Sequence, residues 1–114
     1  MASIPSDYAS NPFFLHPSNS TGLTLVSQPL TSNNHSCWRR ALQMALLAKN
    51  KLGFVDGLME PPDHSDMQKY LSWQRSNNVV WFWLLNSISK EITASVVYSS
   101  TVVEIWKDLE ERFQ

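Results

Sequence analysis

Asn78-Val79-Val80-Trp81-Phe82-Trp83-Leu84-Leu85-Asn86-Ser87-Ile88 is the stretch that decides the fold. Its unbroken apolar run, Val79 to Leu85, is far short of the ~20 residues that cross a bilayer. It therefore predicts a helix buried on more than one side, at the centre of a core. Trp81 and Trp83 stand two apart, about 200° around a helix axis, so they cannot both face one way. At least one of them must meet a second layer of helices or another molecule. Packing within the chain is the favoured reading and an assembly interface the competing one, because a small domain covers only so many aromatic faces.

Upstream, Ser65 or Asp66 can cap a helical region in which Met67, Tyr70, Leu71 and Gln74 mark one face, with Trp73 beside them. Ser76-Asn77-Asn78 weakens a helix without forbidding it, so one long helix or two over 66–88 both stand. Asp56-Gly57 and Pro61-Pro62 mark a turn and a stiff connector. Before them, Trp38, Ala41, Leu42, Ala45 and Leu46 form one apolar stripe and predict a helix from about Ser36 to Lys51. It opens at Asn33-Asn34-His35-Ser36 and stops at Gly53, with Lys49 and Lys51 at its positive-favouring end. Gly22 to Leu30 is β-prone and predicts a short extended segment. Residues 1–22, rich in Ser, Pro and Asn, predict a flexible arm. Its cluster Phe13-Phe14-Leu15 is either a strap across the core, the favoured reading, or a docking peptide.

Downstream, a short helix from about Lys90 to Tyr98 would bury Ile92 and Val96, with a strand as the competitor. Thr101-Val102-Val103-Glu104 fits a capping box. It opens a last helix whose stripe is Val102, Ile105, Trp106, Leu109 and Phe113. The fold class expected is mainly α, a bundle of four or five helices over 23–114 preceded by an extended N-terminal arm.

Composition narrows the function. With 43% hydrophobic residues and five tryptophans the chain can build a core. Nine basic against ten acidic residues leave a net charge of −1, which lacks the excess that draws proteins onto phosphate backbones, so strong nucleic-acid binding is not expected. One cysteine, Cys37, excludes an internal disulfide. The absence of a signal-like start adds the expectation of an intracellular, cytoplasmic setting without membrane attachment. His35-Ser36-Cys37 is the nearest approach to a metal motif and is incomplete, so neither metal nor cofactor is expected. No nucleophile motif or phosphate-cradling glycine loop occurs, and an enzyme is not expected. Trp38, Leu42, Trp73, Trp81, Trp83 and Trp106 are the candidate core or interface residues, and Phe13, Phe14 and Leu15 the candidate docking arm.

Asn11-Pro12-Phe13-Phe14-Leu15-His16-Pro17-Ser18 resembles the opening of the N-terminal Gag region of plant copia-type LTR retrotransposons. Leu25-Val26 through Leu30-Thr31, with Asn34 and Trp38, resembles that family's Leu-Thr-Gly-x-Asn-Tyr-x-x-Trp signature, although Ser32 stands for the usual Gly and His35 for the usual Tyr. The most specific block is Met44-Ala45-Leu46 with Ala48-Lys49-Asn50-Lys51-Leu52-Gly53-Phe54-Val55-Asp56-Gly57, and similarity continues through Trp73, 77–88, and Thr101 followed by 104–113. The resemblance implies a capsid-like, non-catalytic role in which copies associate with one another or with full-length Gag. The RNA-binding zinc knuckle of longer relatives is not in this sequence. A host-retained adaptor or a dominant-negative Gag binding one protein partner is the alternative.

Overall fold

The computed structural model describes residues 11–16 and 19–113. Most of the arm expected over 1–22, residues 1–10 with 17 and 18, lies outside them. The described chain is mainly helical, with five helices and no strand among the described residues. They are α1 (His35–Ala48), α2 (Gly53–Asp56), α3 (Met67–Asn86), α4 (Lys90–Val96) and α5 (Val102–Arg112). The shortest axis of the molecule is 21 Å, about two helix diameters. All five helices contribute side chains to one buried cluster.

α1 buries Trp38, Leu42 and Leu46 at four-residue spacing. The stripe is narrower than the sequence suggested, because Ala41 is exposed. Asn34 precedes the helix but gives it no side-chain cap. Its amide is used upstream: Oδ1 accepts from the Thr31 N–H at 2.7 Å and Nδ2 donates to the Pro29 carbonyl at 3.0 Å. The helix stops at Asn50, not at Gly53. Asn50 takes a left-handed φ of 58°, and the Asn50 and Lys51 amides reach back to the Leu47 and Leu46 carbonyls, a Schellman closure in which asparagine replaces the usual glycine. Gly53 instead begins α2 and admits a close neighbour, since a Cβ there would meet the Met59 side chain at 2.5 Å.

α3 is one uninterrupted helix of 20 residues, capped by the Asp66 side chain on the Lys69 N–H. Of the two readings left open over 66–88, the single helix is the one that forms: Ser76 and Asn77 do not break it, because both side chains are bonded to other segments and do not compete for their own backbone. The buried line of α3 also differs from the expected one. It runs through Trp73, Ser76, Asn77, Val80, Trp83 and Leu84, whereas Met67, Leu71 and Gln74 are exposed. Two buried polar residues occupy core positions while two apolar ones face out, so apolar identity alone marked the wrong side.

The β-prone segment pairs at a single residue. Leu30 forms an isolated parallel bridge with Ile88, its N–H donating to the Ser87 carbonyl and its carbonyl accepting from Ser89. Ser87 thereby joins the start of the chain to the end of α3. α4 is helical and buries Ile92 and Val96; it ends before Tyr98, which is fully out in solvent. α5 opens with the Thr half of the predicted capping box, Thr101 Oγ1 accepting from the Glu104 N–H, while the Glu104 side chain stays exposed. Its stripe Val102, Ile105, Trp106 and Leu109 is buried and closes against α2 and α3.

Candidate functional site: the tryptophan interior and the segment strapped over it

Each tryptophan body packs on helices, and four of the indole N–H groups reach a backbone carbonyl. Trp38 is stacked on Trp106 with centroids 5.7 Å apart, and its Nε1 donates to the Ser87 carbonyl at 2.7 Å. Trp73 donates to Met59 at 2.8 Å, Trp81 to Ser99 at 2.9 Å and Trp83 to Ser20 at 2.7 Å. A buried indole needs such an acceptor, because an unmade bond costs its full desolvation. The result is a set of rivets, each fixing a loop to a helix. Trp38, Leu42, Trp73, Trp83 and Trp106 are buried, and Trp81 is half-buried with its ring edge-on to Phe82. The structure thus divides the Trp81/Trp83 pair, Trp83 inward and Trp81 at the margin of the core.

Residues 11–15 lie across α2 and α3. Phe13, Phe14 and Leu15 are half-buried, and the Phe13 ring is 6.1 Å from that of Phe54. The backbone here and just downstream is gripped by side-chain donors. Ser76 Oγ donates to the Phe13 carbonyl at 3.0 Å, Lys51 Nζ to Phe14 at 2.9 Å, Trp83 to Ser20 and Asn86 Nδ2 to Thr21 at 2.9 Å. Carbonyl acceptors are the same at every residue, so these bonds fix the path of the segment, while specificity rests on what Phe13 packs against. A shallow cleft of about 260 Å³ remains between Asn11 to Leu15 and the side of α3 that carries Lys69, Ser72 and Arg75.

Lys51 is the least expected member of the site. At the sequence level it completes a positive helix end; in the structure it is 2% exposed. Burial, and then the neighbouring Lys49 charge, lower its pKa from the ordinary 10.5. Between the lowered value and 10.5 the unfolded chain holds the extra proton, so this group makes folding more favourable as pH rises through that window. Below the window both states are charged and the cost of burying the ammonium is constant. Urea unfolding of wild type and Lys51→Met at stepped pH should show wild type gaining on the variant as pH climbs towards 10.5; a pH-independent difference would contradict the burial of that charge.

His35 and Cys37 sit in different settings. The His35 ring is stacked between Trp38 and Phe113, at 6.1 and 5.6 Å, and its Nε2 is buried without a hydrogen-bond partner. Cys37 is exposed. Among the described residues no three His, Cys, Asp or Glu side chains come together as a metal would require, and no helix is long and apolar enough to cross a membrane. Lys51, Ser76, Asn77 and Asn86 are the residues that sequence reasoning missed. A signal existed for two of them: Ser76 and Asn77 fall in helical register with Trp73, Val80, Trp83 and Leu84.

The sequence family described as Gag-polypeptide of LTR copia-type matches residues 16–63. No curated protein and no solved structure matches the chain. The matched stretch contains the 19–34 segment, α1 and α2, and it ends before α3.

Proposed function

With residues 16–63 forming a copia-type Gag N-terminal region, we propose that the chain is a non-catalytic, capsid-like element that associates with copies of itself or with full-length Gag. Residues 23–114 act as one unit in this reading. Leu30, Trp38, Leu42, Leu46, Phe54 and Val55 of the matched stretch belong to the same buried cluster as the apolar side chains of α3 to α5, so the stretch would leave its core open if it stood alone.

The observation that carries the proposal is the contrast between interior and surface. Five tryptophans are committed to or beside the core, yet Met44, Leu47, Leu58, Met67, Leu71, Phe82 and Tyr98 remain between 42% and 93% exposed. Large apolar side chains spread over outward helix sides and, at Leu58 and Tyr98, over connecting segments suit contacts made with several neighbours. Such contacts work in the cytoplasm without metal, cofactor, membrane or strong nucleic-acid binding by this segment. Sedimentation velocity over a wide concentration range tests the reading. Reversible growth in sedimentation coefficient is expected, and a strict monomer at the highest concentration would overturn it.

Phe13, Phe14 and Leu15 favour one second reading, since they are half-buried and lie on a strap held through its carbonyls. A strap of that kind can be displaced onto one protein partner, as a host-retained adaptor or a dominant-negative Gag would need. Co-purification separates the readings, because intact Gag in the complex supports interference and an unrelated host protein supports an adaptor.

A further inference from the structure

The strap's backbone bonds close turns within the strap itself: the Phe14 N–H donates to the Asn11 carbonyl at 2.9 Å, Asn19 to His16 at 2.8 Å and Leu23 to Ser20 at 3.2 Å. Its hold on the bundle comes from the other side, through the Ser76, Lys51, Trp83 and Asn86 donors and the Phe54 ring beside Phe13. Leu30 is anchored differently. It has no exposed surface, its N–H donates to the Ser87 carbonyl and its own carbonyl accepts from the Ser89 N–H. Between strap and anchor, Ser27, Gln28 and Pro29 are exposed and the chain bends at 26–28. Pro29 has no N–H bond to lose if the bend opens, and the residue before a proline is biased to extended backbone, so straightening runs with the local preference.

We infer that the strap also seats in trans: residues 11–26 of one copy, swung about 27–29, occupy the α2 and α3 seat of a second copy, and copies associate by this exchange. The inference rests on the self-association reading above. The occupant follows from the seat, which this same sequence fills in the structure: Phe13 meets Phe54, and the Phe13, Phe14, Ser20 and Thr21 carbonyls meet their donors. A second copy presents the same seat and carries the same strap. An exchanged element recovers in trans each contact that it leaves in cis, so swapping between identical chains has a low cost.

Straightened, the chain from Val26 to Leu30 covers about 14 Å. The second bundle therefore stands against the corner where Leu30 meets Ile88. Exchange adds nothing to the strap's own contacts, so two copies are held weakly, and the link becomes firm when several are made at once, as in a many-copy shell.

Two measurements test this on the full chain. Asn11 and Arg75 line one cleft beside the strap and both are exposed, so a thiol at each reports where the strap sits. In a Cys37→Ser background, Asn11→Cys and Arg75→Cys proteins are mixed, left to equilibrate and treated with a short reducible thiol cross-linker. The mixed 11–75 product should predominate over both like-with-like products; its absence, or a random distribution, would overturn the exchange. The double variant, linked within one chain at high dilution, has its strap locked in cis. It should sediment as a monomer where wild type associates and regain association when the linker is reduced, with circular dichroism unchanged throughout. A locked chain that associates as strongly as wild type would remove the exchange and leave self-association standing. A monomeric wild type would remove both.

Discussion

Trp83→Ala should lower the free energy of unfolding by about 3–5 kcal/mol, the range for removing a large aromatic side chain from a packed interior. Trp83 has no exposed surface, and its indole N–H is 2.7 Å from the Ser20 carbonyl. The substitution therefore opens a cavity and also frees the loop that Trp83 holds. A domain of this size has only ~5–15 kcal/mol in total, so urea unfolding followed by circular dichroism should show a large shift to lower urea. Trp83→Phe separates the two losses. It keeps most of the ring packing and loses the hydrogen bond, for about 1 kcal/mol, and amide exchange should then quicken around Ser20 before it quickens in α1 or α5. A Trp83→Ala protein within ~1 kcal/mol of wild type would mean that this side chain is not the centre of the interior.

Why Trp83 and not Trp81 takes that place was half legible in the sequence. The two-residue spacing required them to diverge, but which one turns inward depends on what lies on each side. Trp83 falls in line with Trp73, Ser76, Val80 and Leu84, all buried. Trp81 falls towards the 97–100 turn, where the Ser99 carbonyl receives its N–H. The acceptors for the indole groups lie 14 to 63 residues away in sequence from the tryptophans of α3, and no local pattern carries that distance. α1 and α5 were legible because each presents one apolar side to the core, and at α5 Thr101 also marks the start; the ends of α1 were not, since Asn34 leaves it uncapped and Asn50 closes it in place of Gly53. α3 was legible as a helix but not in its orientation. Helical periodicity marks the buried side only where apolar residues are buried and polar ones exposed, and Ser76, Asn77, Met67 and Leu71 reverse that relation.

The strap shows the same limit from the polar side. Phe13, Phe14 and Leu15 could be singled out as apolar, but the donors that hold their backbone, Ser76 and Lys51, look in sequence like a helix weakener and a helix-end charge. Lys51 follows the left-handed Asn50, and its ammonium finds the Phe14 carbonyl. A lysine is buried on its own only where the fold supplies an acceptor, and here the acceptor comes from the arm. The copia-type match over 16–63 includes Lys51 but neither Phe13 nor Phe14, so the two sides of this contact come from inside and outside the matched stretch.

Asn77→Leu should cost roughly 2–4 kcal/mol although the side chains are close in volume and leucine is the more apolar. Asn77 is 3% exposed. Its Oδ1 accepts from the Val102 N–H at 3.3 Å and its Nδ2 donates to the Ser100 carbonyl at 3.5 Å. The Val102 N–H is one of the amides at the start of α5 that no turn of the helix can satisfy, so α3 caps α5 from outside while Thr101 caps it from within. Leucine at 77 would fill the space and leave a buried donor and a carbonyl desolvated with no partner, a larger loss than the ~1 kcal/mol expected for Thr101→Ala. Asn77→Asp keeps the acceptor and places a negative charge at a helix N-terminus, which the dipole favours. It gives up the bond to Ser100 and buries that charge, so it should fall between wild type and Asn77→Leu. Thermal unfolding of the three proteins would rank them. An Asn77→Leu protein as stable as wild type would show that burial alone, not the cap across helices, holds α5 against α3.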